Sequence, residues 1–199
     1  MKPAICKITA ATLLLTAACS QPAPLSQGEW TLDGDNSSLS FVSVKAGDVG
    51  ESHVFKTLAG AVSPDGTATL TIDLASVDTG IEVRDQRLRD VLFEVGTFPK
   101  ADITAQIDPG RIANLDVGAS VEQDITATLS LHGVVSEVGT NVRVVRTGAD
   151  AITVATTRPI ILDAKALGLA DGVEQLRELA GLPAISHAVP VSFAITYRR

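Results

Sequence analysis

The strongest constraint on this fold is an alternation of apolar and polar residues with a period of two, which begins after Trp30 and continues to the end of the chain. Such alternation is typical of β-strands that bury one face and expose the other to water. The apolar columns are clearest at residues 70–74, 103–107, 125–131 and 189–197. Weaker alternation predicts further strands at 39–45, 141–146, 151–156 and 157–163. The chain therefore provides about eight strands.

A sheet of this kind has to cover its apolar face. Antiparallel strands do so either by packing on a second sheet or by closing into a barrel. Roughly eight strands is also the number at which a barrel can hold one small ligand. The alternation by itself favours neither architecture over the other.

Two helical segments interrupt the strands, and we expect them to cover an open end of the sheet. The first spans residues 84–94. The second spans residues 171–180, where Asp171 is a candidate N-cap, Glu174 completes a capping box and Gly181 ends the helix.

Charge and motif content exclude several classes of function. The 199-residue chain has a net charge of −7, which disfavours nucleic acid as a partner because that affinity comes from clustered Lys and Arg. The chain has no glycine-rich phosphate loop and no G-x-S-x-G elbow, so its residues predict neither an enzyme nor a bound cofactor. The three histidines, His53, His132 and His187, are far apart, and we expect them to face solvent rather than bind a metal.

The first 18 residues are typical of a secretory signal peptide. Lys2 and Lys7 accompany an apolar run at 8–18, which is too short to cross a hydrocarbon core of about 30 Å. Residues 16–19 resemble a bacterial lipobox ending in Cys19, although Leu15 lies one place further from the cysteine than is usual. We predict cleavage before Cys19 and lipidation of Cys19; the alternative is an ordinary secretory signal cut near residue 17 or 18.

Lipidation of Cys19 divides the chain into a signal peptide at 1–18, a tether at 19–29 that contains two prolines, and a folded domain at 30–199. Ser20 follows the cysteine, in place of the aspartate that marks retention in the inner membrane. We therefore expect the lipid anchor to hold the protein on the periplasmic face of the outer membrane. If the anchor is absent, we expect the protein to be in the periplasm. An exposed terminal strand would allow two such domains to pair as a homodimer.

The most distinctive segment is DLASVDTGIEVRDQRLR at 73–89, followed by LFE at 92–94 and by Phe98-Pro99. This segment resembles the signature of the YceI-like family. Residues 36–45 and 131–134 fit the same pattern, so the resemblance spans residues 30 to 197, nearly the whole predicted domain. It implies an extended, lipocalin-like antiparallel barrel with a long apolar cavity. It also implies binding of polyisoprenoid or other amphiphilic chains, and in many members a periplasmic location.

Two departures from the family pattern matter. Many members carry histidine where Arg87 stands, so no role of that histidine is transferred to Arg87. Residues 168–185 form a longer and more helical connection than the family usually has at this place. We favour structural roles for the neighbouring Arg84, which would pair with a carboxylate or a strand carbonyl, and for Asp85, which would cap the helix. The alternative is that Arg84 and Asp85 clamp the headgroup of a ligand.

We predict an antiparallel eight-stranded lipocalin-like β-barrel that binds, transports or sequesters a long apolar amphiphile of polyisoprenoid, quinone or fatty-acid type without catalysis. Apolar burial alone can provide the affinity, at about 0.8 kcal/mol for each buried methylene. Two alternatives stay open: a structural or interaction module with a filled core, and an enzyme that acts on a lipid in the pocket. The predicted cavity lining, which would equally fill a solid core, comprises Phe41, Ile72, Ile103, Leu129, Val191, Phe193 and Ile195.

Overall fold

The computed structural model describes residues 28–199, in which one sheet of twelve strands accounts for most of the chain. The predictions for the signal peptide, for lipidation of Cys19 and for nearly all of the tether lie outside the described residues. The strands are β1 (Trp30–Leu32), β2 (Ser38–Lys45), β3 (Val49–Phe55), β4 (Leu58–Val62), β5 (Thr67–Asp73), β6 (Val77–Asp78), β7 (Lys100–Gln106), β8 (Ser120–Leu131), β9 (Val134–Gly148), β10 (Ala151–Thr156), β11 (Ile160–Asp163) and β12 (Ala188–Arg198).

Eight of these strands form a closed ring. The order is β1, β4, β5, β7, β8, β9, β10 and β12, and every neighbouring pair is antiparallel. The ring closes where β12 pairs with β1, with Tyr197 opposite Leu32. Because the sheet pairs with its own first strand, its apolar face is enclosed without a second sheet. The predicted eight-stranded antiparallel barrel is confirmed, and the sandwich is not formed.

The remaining four strands lengthen the barrel at one end. Strand β2 pairs with β12 and with β3, β6 pairs with β3, and β11 pairs with β12. Each of the four adjoins a ring strand along the chain, so each continues that strand after a short break. We call the end that carries the β2–β3 hairpin the upper end. The lower end carries the β4–β5 and β9–β10 turns.

Short helices cover both ends. Helix α1 (Glu82–Arg87) continues into a π-helical turn (Leu88–Leu92), and α3 (Ala170–Leu179) packs against that turn at the upper end. The contact is close, since a Cβ atom on Gly172 of α3 would lie 2.9 Å from the carbonyl oxygen of Val91. Helix α2 (Pro109–Ile112) belongs to the β7–β8 connection at the lower end. No helix among residues 28–199 is long and apolar enough to cross a membrane.

The predicted helices exist, but their caps differ from the prediction. The second predicted helix lies within one residue of its expected bounds. Its N-cap is Leu169, without a side-chain capping bond, so the prediction of an Asp171 cap is wrong. Asp85 lies inside α1 rather than at its start, and its carboxylate accepts a hydrogen bond from the Thr79 backbone N–H at 2.8 Å. It therefore fixes the loop before the helix and does not cap it.

Candidate ligand-binding cavity

The barrel is hollow. It encloses a cavity of about 390 Å³, within the roughly 300–1,000 Å³ typical of small-molecule sites. The wall is predominantly apolar. Most of its residues are inward-facing side chains of the strands, and the helices and connections at the two ends contribute the rest, among them Leu88, Val173 and Ile112. This cavity contradicts the alternative of a barrel whose core is filled by its own side chains.

All seven residues that were predicted to line a cavity lie on this wall, and their contact with a ligand stays a prediction. Two apolar clusters divide the wall, one in each half of the barrel. Ile195 belongs to the lower cluster, while Phe193 packs against both clusters and joins them. The other five lie in or against the upper cluster: Phe41, Ile72, Ile103, Leu129 and Val191.

The lower end of the cavity is closed by well-packed side chains. Trp30, Ile112 and Tyr197 are buried there in one apolar cluster. Burial raises the pKa of Tyr197 to about 12, as expected for a phenol whose charged form is kept from water. Beside them, the buried Arg146 donates hydrogen bonds to the backbone carbonyls of Leu115, Gly148 and Ala149 at 3.0, 3.1 and 2.8 Å.

The upper end changes from apolar to charged along two paired strands. The inward positions of β2 run from Leu39 through Phe41 and Ser43 to Lys45, and those of β3 run from Phe55 through His53 to Glu51. The side chains of Lys45 and Glu51 keep 31% and 30% of their exposure. The cavity wall thus reaches solvent through polar residues here, and we take this end as the entrance.

Ion pairs organise the entrance. Glu51 Oε2 accepts from Lys45 Nζ and from Arg84 Nη1, both at 2.8 Å. The pairing expected for Arg84 with a carboxylate is therefore confirmed. Arg84 Nη2 also donates to the carbonyl of Thr79 at 2.7 Å, which belongs to the loop after β6 and not to a strand. The hydrogen bond from Lys45, together with that from Arg84, holds the pKa of Glu51 below its usual range. Glu51 is therefore a carboxylate at neutral pH.

His53 lies deeper, and its placement corrects the expectation that the histidines face solvent. Only 3% of it is exposed. Burial, and secondarily the charge of Arg84, lower its pKa, so the imidazole is neutral at neutral pH. Its Nε2 shares a 2.8 Å hydrogen bond with Ser43 Oγ, while Nδ1 has no partner among the described residues. A serine–histidine pair can act as nucleophile and base, but no carboxylate of residues 28–199 is hydrogen-bonded to this imidazole to orient it.

Neither of the other two histidines is fully exposed. His132 pairs with Glu94 at 2.8 Å and packs on the ring of Phe98. His187 is partly buried. Residues 28–199 contain no group of His, Cys, Asp or Glu side chains that could hold a metal ion.

The family follows from the sequence of the domain as a whole. Residues 30–197 match the YceI-like domain. The chain belongs to the YceI-like family. No curated protein in the comparison gives a significant match.

Solved YceI-like structures share the fold. A polyisoprenoid binding domain from Saccharophagus degradans, described as implicated in plant cell wall breakdown, has 43% identity and a TM-score of 0.83, with 85% of this chain and 97% of that chain covered. BcnA from Burkholderia cenocepacia has 20% identity and a TM-score of 0.62, with coverages of 83% and 98%. A YceI protein from Campylobacter jejuni has 16% identity and a TM-score of 0.54, with coverages of 74% and 84%. The last two show the fold alone.

Sequence reasoning missed the polar end of this YceI-like cavity. Lys45 and Ser43 continue the inward column of β2, so a period-two count extended past the apolar residues would have found them. Strand β3 escaped prediction because its inward positions include Glu51 and His53 in place of aliphatic residues. Arg87 also lines the cavity, and its side chain makes no hydrogen bond or ion pair with any residue between 28 and 199.

Proposed function

We propose that this protein reversibly binds a long apolar chain of the polyisoprenoid type in its barrel cavity, and carries or shields that chain on the periplasmic side of the cell envelope without catalysis. The observation that carries the proposal is the closed barrel around an apolar cavity of about 390 Å³. The polyisoprenoid-binding domain at 43% identity supports the choice of ligand class.

Apolar burial can supply the binding energy without any reactive group. Each buried methylene contributes about 0.8 kcal/mol, so ten of them give roughly 8 kcal/mol before ordering costs are subtracted. Micromolar affinity corresponds to a net free energy of about 8 kcal/mol, so ten methylenes set the upper limit of the affinity near micromolar and the ordering costs lower it. Such affinity allows a carrier both to load and to release its ligand.

The proposed anchor is compatible with an open entrance. Trp30, which follows the predicted tether, begins β1 at the lower end of the barrel. A chain attached to a membrane through Cys19 would therefore enter the domain at the end away from the entrance. Incorporation of labelled palmitate, and its loss in Cys19→Ala together with release of folded protein, tests this anchor; labelling that persists in the variant would contradict it.

The binding proposal is tested by native mass spectrometry and by a fluorescent polyprenyl probe. We expect protein from its own host to carry a lipid, and lipid-free protein to bind the probe. Ile103→Trp, which places an indole inside the cavity, should weaken binding about tenfold or more, which corresponds to a loss of roughly 1.4 kcal/mol. Thr104→Trp is the matched control because residue 104 is exposed on the same strand. Absence of co-purified lipid together with absence of probe binding would refute the proposal.

A second candidate function, hydrolysis of a lipid ester, is favoured by the bonded pair of Ser43 and His53 on the cavity wall. The unpartnered Nδ1 of His53 argues against it, since a catalytic imidazole is normally oriented by a third group. Turnover of fatty-acyl ester probes by the wild-type protein, abolished in Ser43→Ala, would establish this candidate. We expect no turnover in either protein.

A further inference from the structure

The entrance carries more positive than negative charge, in a chain whose net charge is −7. Lys45, Arg84 and Arg87 line the cavity at this end, and Glu51 is the carboxylate that lines it with them. Glu51 already accepts from Lys45 and Arg84. Three cations and one carboxylate leave a net charge of about +2 among these residues, and Arg87 is the cation that Glu51 does not contact.

Arg87 differs from its neighbours because it has no partner in the described part of the chain. The carboxylates of α1 and the π-helical turn are engaged elsewhere. Glu82 pairs with Arg89 at 2.8 Å, Asp85 accepts from Thr79, and Asp90 accepts from Gln86 at 2.6 Å. A guanidinium that is partly buried and unpaired loses hydration without a compensating interaction. Such a group is ready to accept an oxyanion, with which arginine forms two parallel hydrogen bonds.

Two further polar atoms at this end lack partners. His53 Nδ1 and Arg84 Nε are buried and unsatisfied, and they account for two of the three such side-chain atoms among residues 28–199. An unsatisfied buried polar atom costs about 1–3 kcal/mol. The lower end has the opposite character, because the buried Arg146 there donates to three carbonyls. Two of the unsatisfied buried atoms thus lie at or just below the entrance, on Arg84 and His53.

We propose that the entrance is a headgroup site for an oxyanion, a phosphate or a carboxylate, with Arg87 as its principal contact and Lys45 and Arg84 around it. This inference rests on the proposed function, since the tail of the same amphiphile fills the apolar cavity below. The polarity gradient along β2 and β3 matches such a ligand in order: hydrocarbon against Leu39 and Phe55, and a charged head at the level of Lys45.

The test compares probes that share one tail. Geranylgeraniol, geranylgeranoic acid and geranylgeranyl phosphate are titrated into the lipid-free protein and into Arg87→Met, which keeps the length of the side chain but removes its charge. Arg143→Met is the matched control, because Arg143 lies on the barrel exterior and pairs with Glu122. Added salt and free inorganic phosphate complete the experiment; the first screens charge, and the second separates recognition of the head from recognition of the whole amphiphile.

We expect the wild-type protein and Arg143→Met to bind at least one of the two anionic probes about tenfold more tightly than the alcohol, a preference that shrinks at high salt. In Arg87→Met the preference should fall to about twofold or less while the affinity for the alcohol is unchanged. Free phosphate should compete only weakly, because the tail provides most of the binding energy. The relative strengths of the phosphate and the carboxylate probes identify the head.

Each other outcome overturns the inference. Equal binding of alcohol and anions by the wild-type protein would refute the headgroup site and leave the proposed function standing. An anion preference that persists in Arg87→Met would refute the assignment to Arg87. Failure of every probe to bind would remove the proposed function, and the inference would fall with it.

Discussion

Each end of the barrel contains a buried or partly buried arginine, and the two arginines differ in whether their side chains have hydrogen-bond partners. At the lower end, Arg146 is 4% exposed and donates to three backbone carbonyls. At the upper end, Arg87 lines the cavity and its side chain makes no hydrogen bond or ion pair with the described residues. The guanidinium at the lower end therefore has hydrogen-bond acceptors within the protein, while the guanidinium of Arg87 at the upper end has donors available for a ligand. The difference separates a structural plug from a binding site.

The comparison has a physical basis in the cost of unmade hydrogen bonds. A charged side chain is tolerated in a protein interior when acceptors are present for its hydrogen-bond donors, as they are around Arg146. An unmatched charge beside a cavity is costly in the empty protein, and that cost is recovered when a ligand supplies the acceptors. Stability should thus depend on the lower arginine, and ligand selectivity on the upper one.

The largest expected effect is on folding stability and contrasts the two arginines directly. Arg146→Met removes hydrogen bonds from a buried guanidinium to three carbonyls in partly buried surroundings. Each such bond contributes about 1 kcal/mol, so we expect the free energy of unfolding to fall by about 3 kcal/mol. Arg87→Met removes no internal hydrogen bond and should change it by less than about 0.5 kcal/mol. Urea denaturation followed by circular dichroism measures both. Equal losses in the two variants would break the comparison.

The contrast between the ends also explains what the sequence could predict. In β5, β7 and β12, whose inward side chains are apolar, the period-two pattern identified the strand and the face that lines the cavity. The pattern failed at β3, whose inward Glu51 and His53 interrupt it. Closure of the sheet through β12 and β1 depends on residues at opposite ends of the chain, Leu32 and Tyr197. Local alternation contains no information about such a pairing.

The hydrogen-bond partners of the two arginines were harder to predict from the sequence than the strands. Arg146 is held by carbonyls from the α2 connection and from the β9–β10 turn, and backbone acceptors leave no mark in a sequence. Arg87 could be placed on a helix, but its lack of a partner becomes visible only when Glu82, Asp85 and Asp90 are seen to be engaged elsewhere. The unsatisfied state of a side chain is a property of the folded molecule.

A smaller effect is expected from acid, again at the upper end. Burial lowers the pKa of His53, and the positive charges of Arg84 and Lys45 lower it further. The negative charges of Glu51 and Asp85 raise this pKa but do not outweigh burial. The unfolded chain therefore takes up this proton at a higher pH than the folded protein does. The contribution of His53 to stability is complete above about pH 6.5 and is lost as the pH falls through the lower, folded-state pKa.

Equilibrium unfolding between about pH 8 and pH 5 measures this loss. His53→Gln should make the decrease in the free energy of unfolding shallower than in the wild-type protein. Ser43→Ala is the matched control, because it removes the hydrogen bond but keeps the buried imidazole, and the steeper decrease should persist. Identical slopes in the wild-type protein and His53→Gln would show that His53 is not desolvated as the structure requires.

The smallest effect on the free energy of unfolding is expected from Glu51→Gln. The same substitution should raise the affinity for an anionic ligand. Glu51 is partly exposed, and ion pairs of that kind contribute about 0–1 kcal/mol, so unfolding should change by less than about 0.5 kcal/mol. Removal of the carboxylate leaves Lys45 and Arg84 uncompensated beside Arg87, and the affinity for geranylgeranyl phosphate should rise by about threefold at low salt. Glu122→Gln, on the barrel exterior, should leave that affinity unchanged. A fall in affinity for the phosphate probe would mean that Glu51 is needed to position the two cations, and a site governed by net charge would then be the wrong description of the entrance.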